Sequence, residues 1–290
     1  MIPYLVNLAV LVGIFGILAA SLNIMVGYAG IFSVAQAVFF GLGAYAGAQI
    51  ALHLTTDLSV AILVAMVIAA ALSLCIALPA LRVRDEYFVI ASLGLQMFAT
   101  TLFGEAGALT GGVGGLVGIP RPSLFGVEIA SASSMIAVVF GALALVLLAT
   151  WALMRGSFGR SLMAIRDSET AAQAAGKNVA ILKLLAVCVS CAFAGVAGAL
   201  YAFHMAFVNV ETFTLEQSML VIAMVIIGGV GTLAGPIVGA IILLLLPAGL
   251  SFLPFIPPNQ IGVVQQMIYG LAMTLLMIFR PAGIVGRRFR

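Results

Sequence analysis

Apolar runs of membrane length follow one another along almost the whole chain, and this feature limits the possible folds most strongly. Of the 290 residues, 64% are hydrophobic and only 7% are charged, whereas about a quarter of the residues in a soluble domain are charged. The lipid core contains no water, so apolar runs of about 20 residues must form helices that satisfy their own backbone hydrogen bonds. The sequence therefore predicts an all-α, polytopic membrane protein in which residues 1–290 form one transmembrane helical bundle.

About nine apolar runs are expected, with eight or ten as the alternatives. The first run has no basic residue before it and is longer than the apolar part of a signal peptide, so we expect it to be retained as a membrane helix. The interruption Gly27-Tyr28-Ala29-Gly30 follows, and it predicts that the second run is a broken or re-entrant helix. The runs cover residues 3–26, 31–54, 58–81, 87–103, 134–154, 181–205, 216–228, 236–253 and 261–279.

Several polar side chains fall inside these runs, where they should face protein or water rather than lipid. Ser92, Gln96 and Thr100 recur every four residues and would share one stripe of a helix. Such a stripe can line a path for a solute, or it can form hydrogen bonds that only hold the bundle together. The candidate path residues are Asn23, Ser33, Gln36, Ser92, Gln96, Thr100 and Ser218.

Small residues mark the helix faces that are expected to pack closely against a neighbour. One face contains a GxxxG pair in the second run, another lies in the sixth run, and a third series recurs every four residues after the seventh run. The predicted packing glycines are Gly43, Gly47, Gly195, Gly198, Gly231, Gly235 and Gly239.

Residues 155–180 form the only long polar interval with basic charge between two membrane-length runs. Apolar and charged residues alternate there as in two short amphipathic helices. Ser168 is expected to cap the second helix, whose first turn contains Glu169, and Gly176 is expected to end it in the left-handed conformation. Such a loop suits a docking partner, and the alternative is a solvated linker whose charges only fix the topology.

Other features exclude several classes of function. Residues 104–132 are rich in Gly and Pro and predict a structured external loop, but they contain no GxxxxGK[ST] motif for a nucleotide. The net charge of +3 is spread over short loops, which does not indicate nucleic acid binding. Cys75, Cys188 and Cys191 all lie in apolar runs, so packing cysteines are expected rather than a redox or metal site.

The basic residues predict an orientation, because cytoplasmic loops are enriched in Lys and Arg. With residues 155–180 in the cytoplasm, eleven of the twelve basic residues lie inside and only Arg121 lies outside. The amino terminus is then external and the carboxyl terminus cytoplasmic. The eleven residues are Arg82, Arg84, Arg155, Arg160, Arg166, Lys177, Lys183, Arg280, Arg287, Arg288 and Arg290.

Seven ordered segments resemble the permease subunits of bacterial branched-chain amino acid ABC transporters, the LivH/LivM family, and in particular its LivM type. The resemblance covers nearly the whole chain. The segments are LNIMVGYAGIFSVAQAVFFGLGAY, LRVRDEYFVIASLG, LTGGVGGLVGIPRP, FGRSLMAIRDSETAAQAAG, AGVAGALYA, GGVGTLAGP and MIFRPAGIVG. The chain departs from the family at residues 33–41, where SVAQAVFFG replaces SLGHAAFFG, and at Asp85-Glu86, where Arg-Gly is common.

The resemblance implies an ATP-driven importer in the bacterial inner membrane that moves branched-chain amino acids or similar small polar solutes into the cell. It also implies the other subunits: a second permease, two ATP-binding subunits that hold ATP and Mg, and an external solute-binding protein. This chain, surrounded by membrane lipid, would itself bind no cofactor and catalyse no reaction. Its residues 159–176 would form the coupling helices, with Phe158, Leu162 and Ile165 as the apolar anchor on an ATP-binding subunit. The implied coupling residues are Phe158, Gly159, Arg160, Leu162, Ile165, Arg166, Asp167, Glu169 and Gly176.

Two other classes of function stay open from the residues alone. A stand-alone channel or secondary transporter, for a neutral solute such as urea or an amide, would normally contain intramembrane ionisable groups for ion coupling. The middle of the apolar runs contains none. An intramembrane enzyme would need a nucleophile beside a base, and no His or Asp accompanies the serines of the apolar runs. No catalytic residue is therefore predicted.

Overall fold

The computed structural model describes residues 2–80, 85–124, 126–129, 131–250, 261–279 and 283–286. Nine helices within these ranges have 14 or more residues. They are α1 Ile2–Asn23, α2 Gln36–His53, α3 Leu58–Ala80, α4 Asp85–Glu105, α6 Ala132–Arg155, α9 Val179–Met205, α10 Leu215–Gly228, α11 Gly235–Leu250 and α12 Ile261–Phe279. The shorter helices are α5 Gly107–Thr110, α7 Ser157–Asp167 and α8 Glu169–Ala174.

The helical bundle agrees with the predicted fold class, whereas the number of membrane crossings stays a prediction. Four helical segments in the described ranges are long and apolar enough to cross a membrane, namely Tyr4–Tyr28, Tyr87–Glu105, Ala132–Arg155 and Val179–Met205. Three apolar helical segments are shorter, namely Leu58–Leu74, Leu215–Gly228 and Gly235–Pro247. With 14 residues, α10 is about 21 Å long, which is too short to cross a hydrocarbon core of about 30 Å.

The predicted orientation depends largely on residues outside the described ranges. These residues are Arg82, Arg84, Arg280, Arg287, Arg288 and Arg290. The side chain of Cys75 is likewise not described. The orientation therefore stays a prediction.

Helix α9 packs against α2 and α3, and small residues bring the three backbones together. A Cβ added to Gly195 would lie 2.7 Å from the Ala65 carbonyl oxygen, and one added to Gly47 would lie 3.0 Å from the Ala199 Cα. Gly43 and Gly198 approach the neighbouring backbone more closely still. These four glycines thus lie where a larger residue would push two helices apart.

The α10 and α11 helices form a second close pair, joined by a turn at residues 229–234. Gly235 lies against the backbone of Gly228 and Gly229, and Gly239 lies against the Met224 carbonyl. Gly231 has a φ of +75° within the turn, a conformation that only glycine adopts readily. The third predicted series of glycines therefore positions this turn.

Short strands close the end of the bundle where α9 ends. β1 (Leu116–Val117) pairs antiparallel with β4 (Phe207–Val208), and β2 (Ser123–Leu124) pairs with β3 (Val127–Glu128). The Ser123 amide also donates to the Thr56 carbonyl at 2.9 Å. The described part of residues 104–132 is thus a structured loop, as predicted.

An aromatic cluster packs inside the bundle around Phe40 and Phe213, which are both fully buried. Their ring centroids lie 5.4 Å apart in an edge-to-face arrangement, which is a favoured geometry for aromatic pairs. Phe213 belongs to the 3₁₀ turn Val210–Phe213, so this turn inserts a ring into the core from the connection after α9. The other rings of the cluster are Phe15, Tyr45, Phe103 and Tyr201.

Two of the cysteines, Cys188 and Cys191, lie on α9. Cys191 is fully buried, and the Cys188 Sγ lies 3.9 Å from the Ala70 carbonyl oxygen. Both thiols are free. The described residues contain no group of three His, Cys, Asp or Glu side chains that could hold a metal ion.

Candidate functional site

Residues 24–35 separate α1 from α2, and we call them the helix break. A π-helical turn covers Ile24–Tyr28, and the Ala29 amide donates back to the Ile24 carbonyl at 3.2 Å. Gly30 then takes a φ of +71°, and the chain stays non-helical until Gln36 begins α2. The predicted interruption at Gly27-Tyr28-Ala29-Gly30 is confirmed, and it extends further than the four residues.

Hydroxyl groups from distant helices satisfy the amides at the start of α2. The Val34 amide donates to the Ser92 Oγ at 3.0 Å, and the Ala37 amide donates to the Ser218 Oγ at 2.9 Å. The Ala35 amide donates to the Ser33 Oγ at 3.3 Å. The first amides of a helix have no partner within the helix, so α10 supplies one for Ala37, while α4 supplies one for Val34 in the helix break.

Gln96 extends this network across the bundle. Its Oε1 accepts a hydrogen bond from the Ser218 Oγ at 3.1 Å, and its Nε2 donates to the Phe213 carbonyl at 2.8 Å. Thr100 donates back to the Gln96 carbonyl at 3.0 Å. The α4 stripe therefore ties together the helix break, α10 and the turn that carries the buried Phe213 ring.

Gln36 forms a separate link to α1 and α9. Its Nε2 donates to the Ser21 Oγ at 2.7 Å, and the Ser190 Oγ donates to the Ser21 carbonyl at 2.6 Å. The Gln36 Oε1 is buried and has no hydrogen-bond partner among the described residues. Such an oxygen is uncommon inside a folded protein.

Asn23 connects the end of α1 to the turn between α10 and α11. Its Nδ2 donates to the Thr232 carbonyl at 2.8 Å, and its Oδ1 accepts from the Gly231 amide at 2.8 Å. The two backbones are so close that a Cβ on Gly27 would lie 2.6 Å from the Gly231 nitrogen. The end of α1 and the α10–α11 turn therefore form one contact unit.

The candidate path residues are largely engaged within the chain in this conformation. Six of them are buried, and Thr100 is half-buried. None of the seven lines either of the two cavities described in the bundle. Their hydrogen bonds support the interpretation that they hold the bundle together, and a role in lining a path stays a prediction.

The polar interval folds into the two predicted helices, α7 and α8, which we call the coupling loop. The Ser168 Oγ accepts from the Ala171 amide at 3.3 Å and so caps α8. Gly176 follows α8 with a φ of +75°. The predicted cap and the predicted left-handed glycine are both confirmed.

One expectation about the coupling loop is wrong. Leu162 is fully buried and Ile165 is 3% exposed, because this face of α7 packs onto the chain's own helices. Gly159 also lies directly against the Met154 backbone, and Phe158 is half-buried against the core. Leu162 and Ile165 therefore cannot anchor a partner in this conformation.

The opposite face of α7 is available instead. Arg160, Met163, Ala164 and Asp167 are exposed and follow the i, i+3, i+4, i+7 spacing of a single helix face. Met163 is the apolar centre of this face, with 39% of its surface exposed. We call these four residues the α7 outer stripe.

Arg166 joins the coupling loop to the helix break. Its guanidinium donates to the Gly27 carbonyl at 2.6 Å across 139 residues of sequence. Gly30 and Gly231 both face the Arg166 side chain closely. The last carbonyls of a helix lack partners within the helix and favour a cation. Arg166 therefore supplies a hydrogen-bond donor to a carbonyl just after α1, in addition to any contact with another subunit.

Glu169 is likewise engaged inside the chain. Its carboxylate lies 2.8 Å from the Lys183 Nζ, and the Lys183 side chain is only 10% exposed. This ion pair fastens α8 to α9. The expected rim contact of Glu169 with a partner therefore competes with an internal one, while Asp167 and Arg160 remain on the outside.

Sequence reasoning missed the role of residues 283–286. The Ile284 amide donates to the Ile227 carbonyl at 3.0 Å, and the Val285 amide donates to the Gly228 carbonyl at 2.9 Å. This segment therefore satisfies the last carbonyls of α10. The sequence feature that could have indicated this role is Gly283. In the structure Gly283 takes a φ of +75° and lies against Gly229.

The comparisons with known proteins agree on one family. Residues 4–280 match the family model described as the permease component of a branched-chain amino acid transport system. The chain is 30% identical over 303 residues to the high-affinity branched-chain amino acid transport system permease protein LivM of Escherichia coli K12, covering 97% of this chain and 69% of that protein. It is 22% identical over 316 residues to a probable LivM permease of Methanocaldococcus jannaschii, covering 94% and 90%. No solved structure matches the chain.

Proposed function

The chain belongs to the family of permease components of branched-chain amino acid transport systems, and on this premise we propose that it forms part of the membrane path of an ATP-driven importer. The solutes are branched-chain amino acids or similar small polar molecules. A second permease subunit completes the path, and an external solute-binding protein delivers the solute. Two ATP-binding subunits hold ATP and Mg and supply the energy.

The α7 outer stripe is the surface that we assign to an ATP-binding subunit. The exposed Met163 lies between Arg160 and Asp167 on this stripe. An apolar centre with a polar rim is the usual composition of a protein interface. The buried face of α7 supports this assignment, since it makes the helix a rigid part of the permease. Movement of the ATP-binding subunit would then displace α7 as a unit.

The contact between Arg166 and the Gly27 carbonyl is the observation that carries the proposed coupling. A displacement of α7 pulls directly on the end of α1, at a π-helical turn where the regular hydrogen-bond pattern is already interrupted. Asn23 passes the displacement to the α10–α11 turn through its two hydrogen bonds. Interrupted helices surrounded by protein are common at the moving parts of transporters.

The proposed placement has α7 and α8 in the cytoplasm and the strands β1 to β4 outside. The count of basic residues supports this orientation, with Arg155, Arg160 and Arg166 at the end of the bundle where α9 begins and Arg121 in the loop at its other end. The amino terminus would then be external and the carboxyl terminus cytoplasmic. The site of action is the bacterial inner membrane.

Replacement of Arg166 tests the coupling. The complete transporter would be purified, reconstituted into proteoliposomes and assayed for leucine uptake and for ATP hydrolysis stimulated by the binding protein. A hydrogen bond from a charged donor contributes about 1.5–3 kcal/mol, so Arg166→Ala should lower the ratio of leucine transported to ATP hydrolysed about tenfold or more. Arg166→Lys should retain part of this ratio, because the positive charge near the helix end is kept.

Arg121→Ala is the matched control, since Arg121 is an exposed arginine in the loop at the other end of the bundle, and we expect an unchanged ratio. An Arg166→Ala transporter with the wild-type ratio would refute the proposed coupling contact. A wild-type transporter that moves neither an amino acid nor another small polar solute, with all subunits present, would refute the proposed function itself.

A further inference from the structure

A cavity of about 540 Å³ lies between α10 and α12. This volume falls within the range of about 300–1,000 Å³ that is usual for small-molecule sites. Ser218, the α10 residue that accepts from the Ala37 amide, does not line this cavity. Its walls include Glu216, Gln217, Leu220, Ala223, Gln266 and Tyr269.

The polar part of the cavity contains an amide without a partner. The Gln217 Nε2 is buried, and none of the described residues accepts a hydrogen bond from it. A buried donor of this kind costs free energy unless a ligand or water accepts a hydrogen bond from it. Glu216 precedes it in the first turn of α10 and contributes an exposed carboxylate to the same cavity. The lining of the cavity thus includes a buried donor and an exposed carboxylate from two consecutive residues.

The rest of the wall is largely apolar, with Gln266 and Tyr269 as its other polar residues. Leu220 and Ala223 lie one and two turns further along α10, and Met219 and Met273 also line the cavity. The Tyr269 hydroxyl donates to the Leu243 carbonyl at 2.8 Å, which holds this side chain against α11. Methionine side chains adapt to apolar ligands of different shape. The cavity therefore has one polar end and one apolar side.

We propose that this cavity binds an α-amino acid with an aliphatic side chain during its passage, which rests on the proposed function. The ligand carboxylate accepts from the Gln217 amide near the amino end of α10, where the helix dipole favours negative charge. The ligand ammonium group faces the Glu216 carboxylate. The aliphatic side chain packs on Leu220, Ala223 and Met273.

The position of α10 links this site to the helix break. Ser218 is the next residue after Gln217, and its hydroxyl accepts from the Ala37 amide and donates to Gln96. The first turns of α10 therefore contact the ligand on one side and the start of α2 on the other. A ligand that shifts these turns also shifts the network at the break.

Protection of an introduced cysteine tests the site. Leu220→Cys, in a chain whose three native cysteines are replaced by alanine, would be assembled with the other subunits in lipid nanodiscs. Its rate of reaction with a small methanethiosulfonate reagent would be measured against L-leucine concentration. We expect L-leucine to slow the reaction, and 4-methylpentanoate, which lacks the ammonium group, to slow it much less. Val113→Cys, an exposed position in the glycine-rich loop, should react at the same rate with and without either compound.

Two further substitutions, each combined with Leu220→Cys, make the test specific. Gln217→Leu should raise the leucine concentration needed for half protection about tenfold, the effect of losing one hydrogen bond to a charged group. Glu216→Gln should remove the difference between L-leucine and 4-methylpentanoate. Both variants would be checked for normal assembly by size-exclusion chromatography.

Several results would overturn the inference. Equal slowing by 4-methylpentanoate in the unaltered site would indicate a cavity for apolar chains such as lipid. A cysteine that reacts in the isolated chain but never in the complete transporter would indicate that the second permease covers the cavity. If L-leucine gives no protection while the same transporter still takes up leucine, the site assignment fails and the proposed function stands. Uptake that fails for every amino acid and every other small polar solute tested refutes the function instead, whatever the protection shows.

Discussion

Replacing Gly27 by alanine should break the contact between the end of α1 and the α10–α11 turn. The added Cβ would lie 2.6 Å from the Gly231 nitrogen and 2.9 Å from the Gly231 Cα, and it would also overlap the Asn23 Oδ1. Carbon atoms pack at about 3.5–4.0 Å, so the two backbones must separate by roughly 0.6–1 Å. That separation stretches both hydrogen bonds of Asn23 beyond a useful length.

The magnitude follows from these two effects. Overpacking of a tight contact costs about 1–3 kcal/mol, and each lost hydrogen bond costs about 0.5–1.5 kcal/mol. The destabilisation of the folded chain should therefore be about 2–6 kcal/mol. Gly141→Ala is the matched control, because a Cβ there meets nothing within 4 Å and alanine favours a helix by up to about 1 kcal/mol.

The assay is thermal unfolding of the purified chain in detergent, followed by size-exclusion chromatography after heating, together with leucine uptake by the complete transporter. Gly27→Ala should unfold at a clearly lower temperature and lose uptake, whereas Gly141→Ala should unfold at or slightly above the wild-type temperature and keep normal uptake. If Gly27→Ala unfolds at the wild-type temperature and transports leucine normally, the close contact between the break and the α10–α11 turn does not exist as described.

Three further predictions concern the core and the coupling loop. Phe213→Ala should destabilise the chain by about 3–5 kcal/mol, because it removes the ring at the centre of the aromatic cluster. The control Phe98→Ala, at a position 63% exposed on α4, should change the unfolding temperature little. Leu162→Ala should cost about 2–5 kcal/mol of stability, read from the same unfolding assay, since this side chain is buried within the chain. Met163→Glu should leave the unfolding temperature unchanged but weaken co-purification of the ATP-binding subunits about thirtyfold, the loss of one interface hot spot of about 2 kcal/mol. Normal co-purification of that variant would contradict the assignment of the α7 outer stripe.

Local features were accessible from the sequence because they depend on neighbouring residues. The cap at Ser168, the left-handed Gly176 and the interruption at Gly27 all follow from short-range rules of backbone geometry. The small residues around Gly43, Gly47, Gly195 and Gly198 also indicated helix contacts, since small residues in membrane helices allow a close approach of the backbones, and these glycines do lie at such contacts.

The contacts that unite the site were not accessible in the same way. Arg166 and the Gly27 carbonyl are 139 residues apart, and Asn23 and Thr232 are 209 apart. Nothing in the local sequence of either partner indicates the other. The amphipathic pattern of α7 showed that one face is apolar, but it could not show whether that face meets the chain's own bundle or another subunit. Leu162 and Ile165 were assigned to the wrong neighbour for this reason.

Most side-chain hydrogen bonds around the helix break are made to main-chain atoms rather than to other side chains. The hydroxyls of Ser92 and Ser218 accept from the amides of residues 34 and 37, and Arg166 reaches the carbonyl of residue 27. Every amino acid except proline offers the same amide and carbonyl. The side chains of Val34 and Ala37 can therefore be exchanged without loss of these two hydrogen bonds, because the bonds depend on the main chain at both positions.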